Sequence, residues 1–219
     1  MAQLLKSSIG KKIVMSLTGL FLILFLTIHM AVNLISVFSL PLYDAASHFM
    51  GTNPVIKLMV PVLALGFAVH IAFAFVLSWQ NRKARGGIHY EIKNATKVSW
   101  ASKNMLALGM IVLGVLAIHL SHFWANMQLQ EWLGHDSIHA STLVVKVFSN
   151  PVNVLIYILW ILALTFHLTH GFWSAFHSMG LNNSTWSRRL KIISHTYVSI
   201  LAIGFLTPVL YFYIQSLLA

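Results

Sequence analysis

The 219 residues are 58% hydrophobic and 8% charged, with a mean hydropathy of +0.79, where a soluble domain carries about 25% charged residues. That composition excludes a soluble globule, a disordered chain and a fibrous repeat. The absence of cysteine excludes a disulfide framework, a thiolate metal site, a Cys-ligated iron–sulfur cluster and covalent c-type haem attachment. Fourteen Lys and Arg against four Asp and Glu give +10, a balance that would suggest nucleic acid in a soluble chain but here fits a membrane surface.

Five apolar runs, at about 13–39, 56–79, 104–125, 151–177 and 192–217, are each long enough to cross about 30 Å of hydrocarbon. The predicted fold is an all-α integral membrane protein, one domain over 1–219. The first run follows Lys6, Lys11 and Lys12 and carries Gly19 and His29. It is far longer than the roughly 7–15 apolar residues of a signal peptide, so it reads as a span. A short segment with Asp44 and His48 leads to the second run, which carries His70 and exits through Asn81-Arg82-Lys83-Ala84-Arg85. A loop at 80–103 holds His89, Lys93, Lys97 and Lys103. The third run carries Gly109, His119 and His122, and the loop at 126–150 holds Glu131, His135, Asp136, His139 and Lys146. His167, His170 and Gly171 lie in the fourth run, with His177 near its end; the fifth has His195 only close to its basic end. Trp100, Trp124, Trp132 and Trp186 fall near predicted interfaces, where an indole has one wet and one apolar side. No alternating segments of a transmembrane β-barrel and no internal repeat occur.

The charges predict the orientation. Lys6, Lys11 and Lys12, then Arg82, Lys83, Arg85, Lys93, Lys97 and Lys103, then Arg188, Arg189 and Lys191 fall on one side, twelve of the fourteen basic residues. Only Lys57 and Lys146 fall on the other, with Asp44, Glu131 and Asp136. Short basic loops stay cytoplasmic, which places the N-terminus inside and the C-terminus outside.

Twelve histidines in so apolar a chain are the anomaly, because an ionisable group inside a span is costly unless it has a partner or a function. At 1.5 Å per residue, His29 lies about 26 Å above Lys12 and His119 about 24 Å above Lys103. His70 lies about 18 Å from Arg82, and His167 about 15 Å above His177. The four therefore form two depth-matched pairs, His29 with His119 and His70 with His167, each drawn from alternate helices. In a four-helix bundle such helices face each other across the core, where cofactor sites are built. Two opposed imidazoles suit the axial ligation of haem iron, and two pairs make room for two b-type haems. The predicted architecture is thus four helices forming a haem-binding bundle, with the fifth peripheral. By spacing alone His122 could replace His119, and His170 could replace His167, since residues three apart share a face.

Three segments carry a family resemblance. Leu17-Thr18-Gly19-Leu20-Phe21-Leu22 running to Ile28-His29-Met30 resembles the first helix of the cytochrome b subunit of succinate:quinone oxidoreductases. The nearest likeness is to the single-subunit, five-helix, two-haem type of succinate dehydrogenases and fumarate reductases. Leu113-Gly114-Val115 through Ile118-His119-Leu120 resembles the third helix, and Phe166-His167-Leu168-Thr169-His170-Gly171-Phe172-Trp173 to Met179-Gly180 the fourth. His70 and the basic exit after it match the second more loosely.

The resemblance implies that His70 and His167 hold the haem proximal to the hydrophilic subunits and that His29 and His119 hold the distal one. It selects His167 over His170, since the family's ligand stands four residues before the glycine. It implies a bacterial cytoplasmic membrane, a flavoprotein partner with FAD, an iron–sulfur partner, and electron exchange with menaquinone or another quinone. This chain would move electrons and touch quinone, while the dicarboxylate site belongs to the flavoprotein; the complexes could stand alone or pair as dimers or trimers. Asp44 and His48 are the outer-side candidates for the quinone site. The spans contain no acid, a departure from the fumarate reductase branch, which has one just before the fourth-helix ligand. Two alternatives stand beside this one: a di-haem anchor of a hydrogenase or formate dehydrogenase, and a histidine-based metal or proton transporter.

Overall fold

The structure is a computed structural model that describes residues 7–85, 99–181 and 183–219; Lys6, His89, Lys93 and Lys97 lie outside the described residues. Helix α1 (Ser8–Phe38) opens on Ser7, whose hydroxyl accepts from the Gly10 amide at 2.9 Å. Ser39 both closes α1, donating its amide to the Ile35 carbonyl, and opens α2 (Leu40–Thr52), its hydroxyl accepting from Leu42. Then follow α3 (Pro54–Arg85), the short α4 (Trp100–Lys103) and α5 (Met105–His122). After a 3-10 turn at Trp124–Asn126 come α6 (Gln128–Trp132), α7 (Ala140–Phe148), α8 (Pro151–Ser178) and α9 (Ser184–Leu218). Asn150, with Pro151 behind it, caps α8 by accepting from Val152 and Asn153, the arrangement in which proline's missing N–H costs nothing. Gly180, at φ 106°, supplies the left-handed residue that ends α8, where any side chain would be strained.

All regular structure among the described residues is helical, and five helices are long and apolar enough to cross a membrane: Ile9–Phe38, Pro54–Ala84, Met105–Asn126, Pro151–Ser178 and Ser184–Leu218. These five match the predicted runs, the first two and the last extending several residues further at one end. The last begins well before 192 because Asn183 caps its polar first turns, so Arg188, Arg189 and Lys191 are helical although their charge ends the hydropathic run. Leu24, Leu65, Leu155, Leu159, Ile200 and Ile203 point outward, as lipid-facing side chains would.

Two helices stand where the sequence reading has connecting segments. α2 buries Tyr43, and α7 buries Ala140, Leu143, Val144, Val147 and Phe148. Both are too short to register as spans, and both fold over the ends of the long helices opposite the basic ends. Asp44 ties them together: its carboxylate accepts from the Ser141 amide at 2.8 Å and the Ser141 hydroxyl at 2.6 Å, capping the first turn of α7 from α2.

Among the long helices, α1 packs on α3, α8 and α9, and α8 packs on α5 and α9, whereas α3 and α5 barely touch. Glycines set the closest approaches. A Cβ on Gly66 of α3 would come within 2.9 Å of the Phe21 ring on α1, and one on Gly204 of α9 would strike Met30. The fifth span lies against α1 and α8, and a third of its most apolar stretch is buried, more than in any other span. It is therefore a packed wall rather than a loose attachment. Ser194 on it is fully buried and donates to the Thr169 carbonyl of α8.

Candidate functional site

Four long helices each carry one of the predicted histidines, and the fold brings these together two by two. His29 of α1 faces His119 of α5, with ring centroids 5.8 Å apart and planes at 90°. His70 of α3 faces His167 of α8 at 6.4 Å and 66°. Gly19 and His29 share α1, and a Cβ on Gly19 would lie 3.4 Å from the His70 ring. Gly109 and His119 share α5, and a Cβ on Gly109 would lie 3.6 Å from the His167 ring. Ten residues of helix separate each glycine from its histidine, so two different helices place the pairs about 15 Å apart along the span.

The His29–His119 pair lies toward α2 and α7. His29 stacks on Phe25 at 5.3 Å and has Phe205 of α9 at 6.0 Å. His119 sits among Phe123, Tyr157 and Trp160, the last pinned by its indole N–H donating to the Val112 carbonyl at 3.1 Å. Such edge-to-face and tilted contacts hold a ring in place and keep water out. Asn33 donates to the His29 carbonyl at 2.8 Å, and its amide nitrogen stands 3.4 Å from Nε2. Tyr43 of α2 donates to Asn33 Oδ1 at 3.3 Å. Burial, with the Asp44 carboxylate beside it, pushes the Tyr43 hydroxyl up to about 12, so it remains a neutral donor.

In the His70–His167 pair, Thr18 Oγ1 lies 3.3 Å from His70 Nδ1. That hydroxyl points its proton back at the α1 backbone, 2.9 Å from the Val14 carbonyl and 3.1 Å from that of Met15, so toward His70 it accepts. This leaves His70 protonated on Nδ1 and its Nε2 lone pair bare, the tautomer a metal ligand needs. On the other side the residue before the facing glycine is Leu108, which is buried and has no polar atom, and the Nδ1 of His167 has no hydrogen-bond partner.

The neighbouring histidines differ in where their rings lie. His122 stacks on Tyr157, and its Nδ1 is 3.2 Å from the Tyr157 hydroxyl, while His119 is the ring that faces His29. His170 lies edge-on to Trp173 at 5.2 Å, while His167 is the ring that faces His70. Among the described residues no three His, Asp or Glu side chains converge; the histidines come in twos. Of the two quinone candidates, His48 is exposed and both oxygens of Asp44 are engaged by Ser141.

Sequence reading missed Thr18, Asn33, Tyr43 and Tyr157 as partners of the histidines. Two of them had a signal in the spacing: Asn33 stands one helical turn after His29, and Thr18 sits beside the glycine of the first-helix motif. Comparison with family models, with curated protein sequences and with solved structures finds no match for this chain. The fold and the paired histidines define a helical chain able to cross the membrane five times, with two half-buried histidine pairs in its span region.

Proposed function

We propose that this chain is a di-haem b membrane subunit of a respiratory complex, of the succinate:quinone oxidoreductase kind, which anchors hydrophilic partners and serves electron exchange with quinone. The observation that carries the reading is the facing of four histidines in two pairs. An imidazole nitrogen about 2 Å from a metal puts the ring centroid about 3.2 Å away, so two rings on opposite sides stand about 6.4 Å apart. The His70–His167 pair stands at that spacing, 6.4 Å, and the His29–His119 pair at 5.8 Å lies somewhat inside it. A site with two protein ligands suits a macrocycle that supplies the other four, whereas protein-held zinc takes three or four side chains.

On this reading His29 and His119 hold one haem and His70 and His167 the other, within a bundle of α1, α3, α5 and α8 that α9 supports from outside. Haem iron, when bound, supplies one-electron transfer. The chain's own part is to present imidazole nitrogens, to exclude water with Phe25, Phe123, Trp160 and Phe205, and to bring the backbone at Gly19 and Gly109 close to the His70 and His167 rings. The sparse α3–α5 contact supports the reading too, because it leaves the ring of four helices open on one side. The basic ends of the spans face the cytoplasm, where Arg188, Arg189 and Lys191 meet lipid phosphates or an iron–sulfur partner that in turn binds a flavoprotein. Quinone exchanges electrons near the opposite end, with His48 the freer of the two candidates there. The choice of succinate rests on the motif resemblance around Gly19, His119 and His167.

The test is a pyridine haemochrome assay on the purified full-length chain. Two b haems per polypeptide are expected. A folded, colourless protein would contradict the reading and bring a histidine-based transporter forward.

A further inference from the structure

Tyr157 is 3% exposed and touches two histidines at once. Its hydroxyl is 3.4 Å from His119 Nδ1 and 3.2 Å from His122 Nδ1. A phenol has one proton, so between two ring nitrogens it donates to one and accepts from the other. There are two ways to order this chain. In one, His119 donates from Nδ1 to Tyr157, which donates to His122; His119 Nε2 is then bare. In the other, His122 donates to Tyr157, which donates to His119 Nδ1, and the proton of His119 moves to Nε2, where it blocks a metal.

We propose that Tyr157 is a positioning residue for the His29–His119 site, and that His122 is the acceptor that orders the chain so that His119 Nε2 is free. The inference rests on the haem reading above and adds two residues to it. Tyr157 reaches His119 across the α5–α8 contact, and His122 stacks on the Tyr157 ring at 15° between planes, which keeps its Nδ1 beside the hydroxyl. His70 obtains the same tautomer from Thr18, whose proton is committed to backbone carbonyls. His119 has no such hydroxyl on its own neighbours; it depends on a phenol whose direction must be set by a third group. A hydrogen bond accepted from a ligand's Nδ1 makes the imidazole more basic and favours the higher oxidation state of the metal.

The experiment is a redox titration of the purified full-length chain and of Tyr157→Phe, His122→Leu and His122→Gln, with haem content measured on each. Tyr157→Phe removes the relay, His122→Leu removes only the acceptor, and His122→Gln restores an acceptor in its amide oxygen. The expected result is that Tyr157→Phe and His122→Leu raise the midpoint potential of the same one of two haems and leave the other unmoved. The rise corresponds to a threefold to tenfold change in the oxidation equilibrium, roughly 30–60 mV for one electron. His122→Gln is expected to titrate like the wild type. If Tyr157→Phe does not fold, the two His122 variants still decide. Unmoved potentials in His122→Leu, or equal shifts in His122→Leu and His122→Gln, would overturn the relay while leaving the two-haem reading intact. A wild-type chain without haem would overturn both, and the failure would appear before any variant is made.

Discussion

Thr18 and Leu108 occupy the same register on two helices, each one residue before a glycine that faces an imidazole, and only Thr18 has a hydroxyl. The consequence is that the two members of one pair differ: His70 has a partner at Nδ1 and His167 has none. An unpaired buried donor costs about 1–3 kcal/mol, so the asymmetry persists at some expense in stability.

Thr18→Val keeps the shape and removes the acceptor from His70. It is expected to cost about 1 kcal/mol and to raise the potential of the haem held by His70 and His167, leaving the other unchanged. Redox titration beside thermal unfolding in detergent checks both parts. A shift confined to the second haem would place Thr18 at the wrong pair.

The planes of His29 and His119 are perpendicular, and those of His70 and His167 are at 66°. Axial imidazoles with crossed planes leave the iron d-orbitals nearly degenerate and give a strongly anisotropic low-spin ferric signal. Two such signals are expected in the oxidised protein, the more anisotropic one disappearing in His29→Ala. Electron paramagnetic resonance on frozen samples reads this directly, and two signals typical of parallel imidazoles would contradict the geometry.

Asp44 joins α2 to α7 through Ser141. Asp44→Ala is expected to lower stability by about 1.5–3 kcal/mol, the range for hydrogen bonds to a charged group, with haem content unchanged. Ser141→Ala should cost less, because the main-chain amide bond remains. Quinone reductase activity lost in Asp44→Ala at unchanged melting temperature would show a role at the quinone site instead.

Tyr43 carries a pH dependence at α2. Its hydroxyl is raised from the ordinary 10 to about 12 by burial and then by Asp44, so the folded state favours the neutral form. The contribution to stability is complete below about pH 10 and is lost as pH rises toward 12, where the unfolded chain ionises first. Unfolding followed across this window should show a steeper alkaline loss in the wild type than in Tyr43→Phe. Parallel curves would mean that Tyr43 ionises as it would in water.

Much of the architecture is legible in the sequence because a bilayer demands uninterrupted apolar runs, and charge clusters mark where each run ends. α2 and α7 are not legible in that way: each is short, and α7 is helical because Leu143, Val144, Val147 and Phe148 have something to bury against. The depths of His29, His70, His119 and His167 follow from counting rise per residue, and the structure brings the depth-matched rings to centroid separations of 5.8 and 6.4 Å. Spacing does not separate His119 from His122, since residues three apart share a helix face; in the structure His122 stacks on Tyr157 while His119 faces His29. Tyr157 itself leaves no trace in the sequence, where one tyrosine in an apolar run reads as packing.

Haem content of the four single variants His29→Ala, His70→Ala, His119→Ala and His167→Ala tests the account most directly. Each is expected to carry one haem where the wild type carries two, with the same haem missing from His29→Ala and His119→Ala and the other missing from His70→Ala and His167→Ala. The double variant His29→Ala/His119→Ala should lose no more than either single one, because on the proposed reading both residues serve one site. Two haems retained in any of the four, or a His29→Ala spectrum that matches His70→Ala, would contradict the pairing.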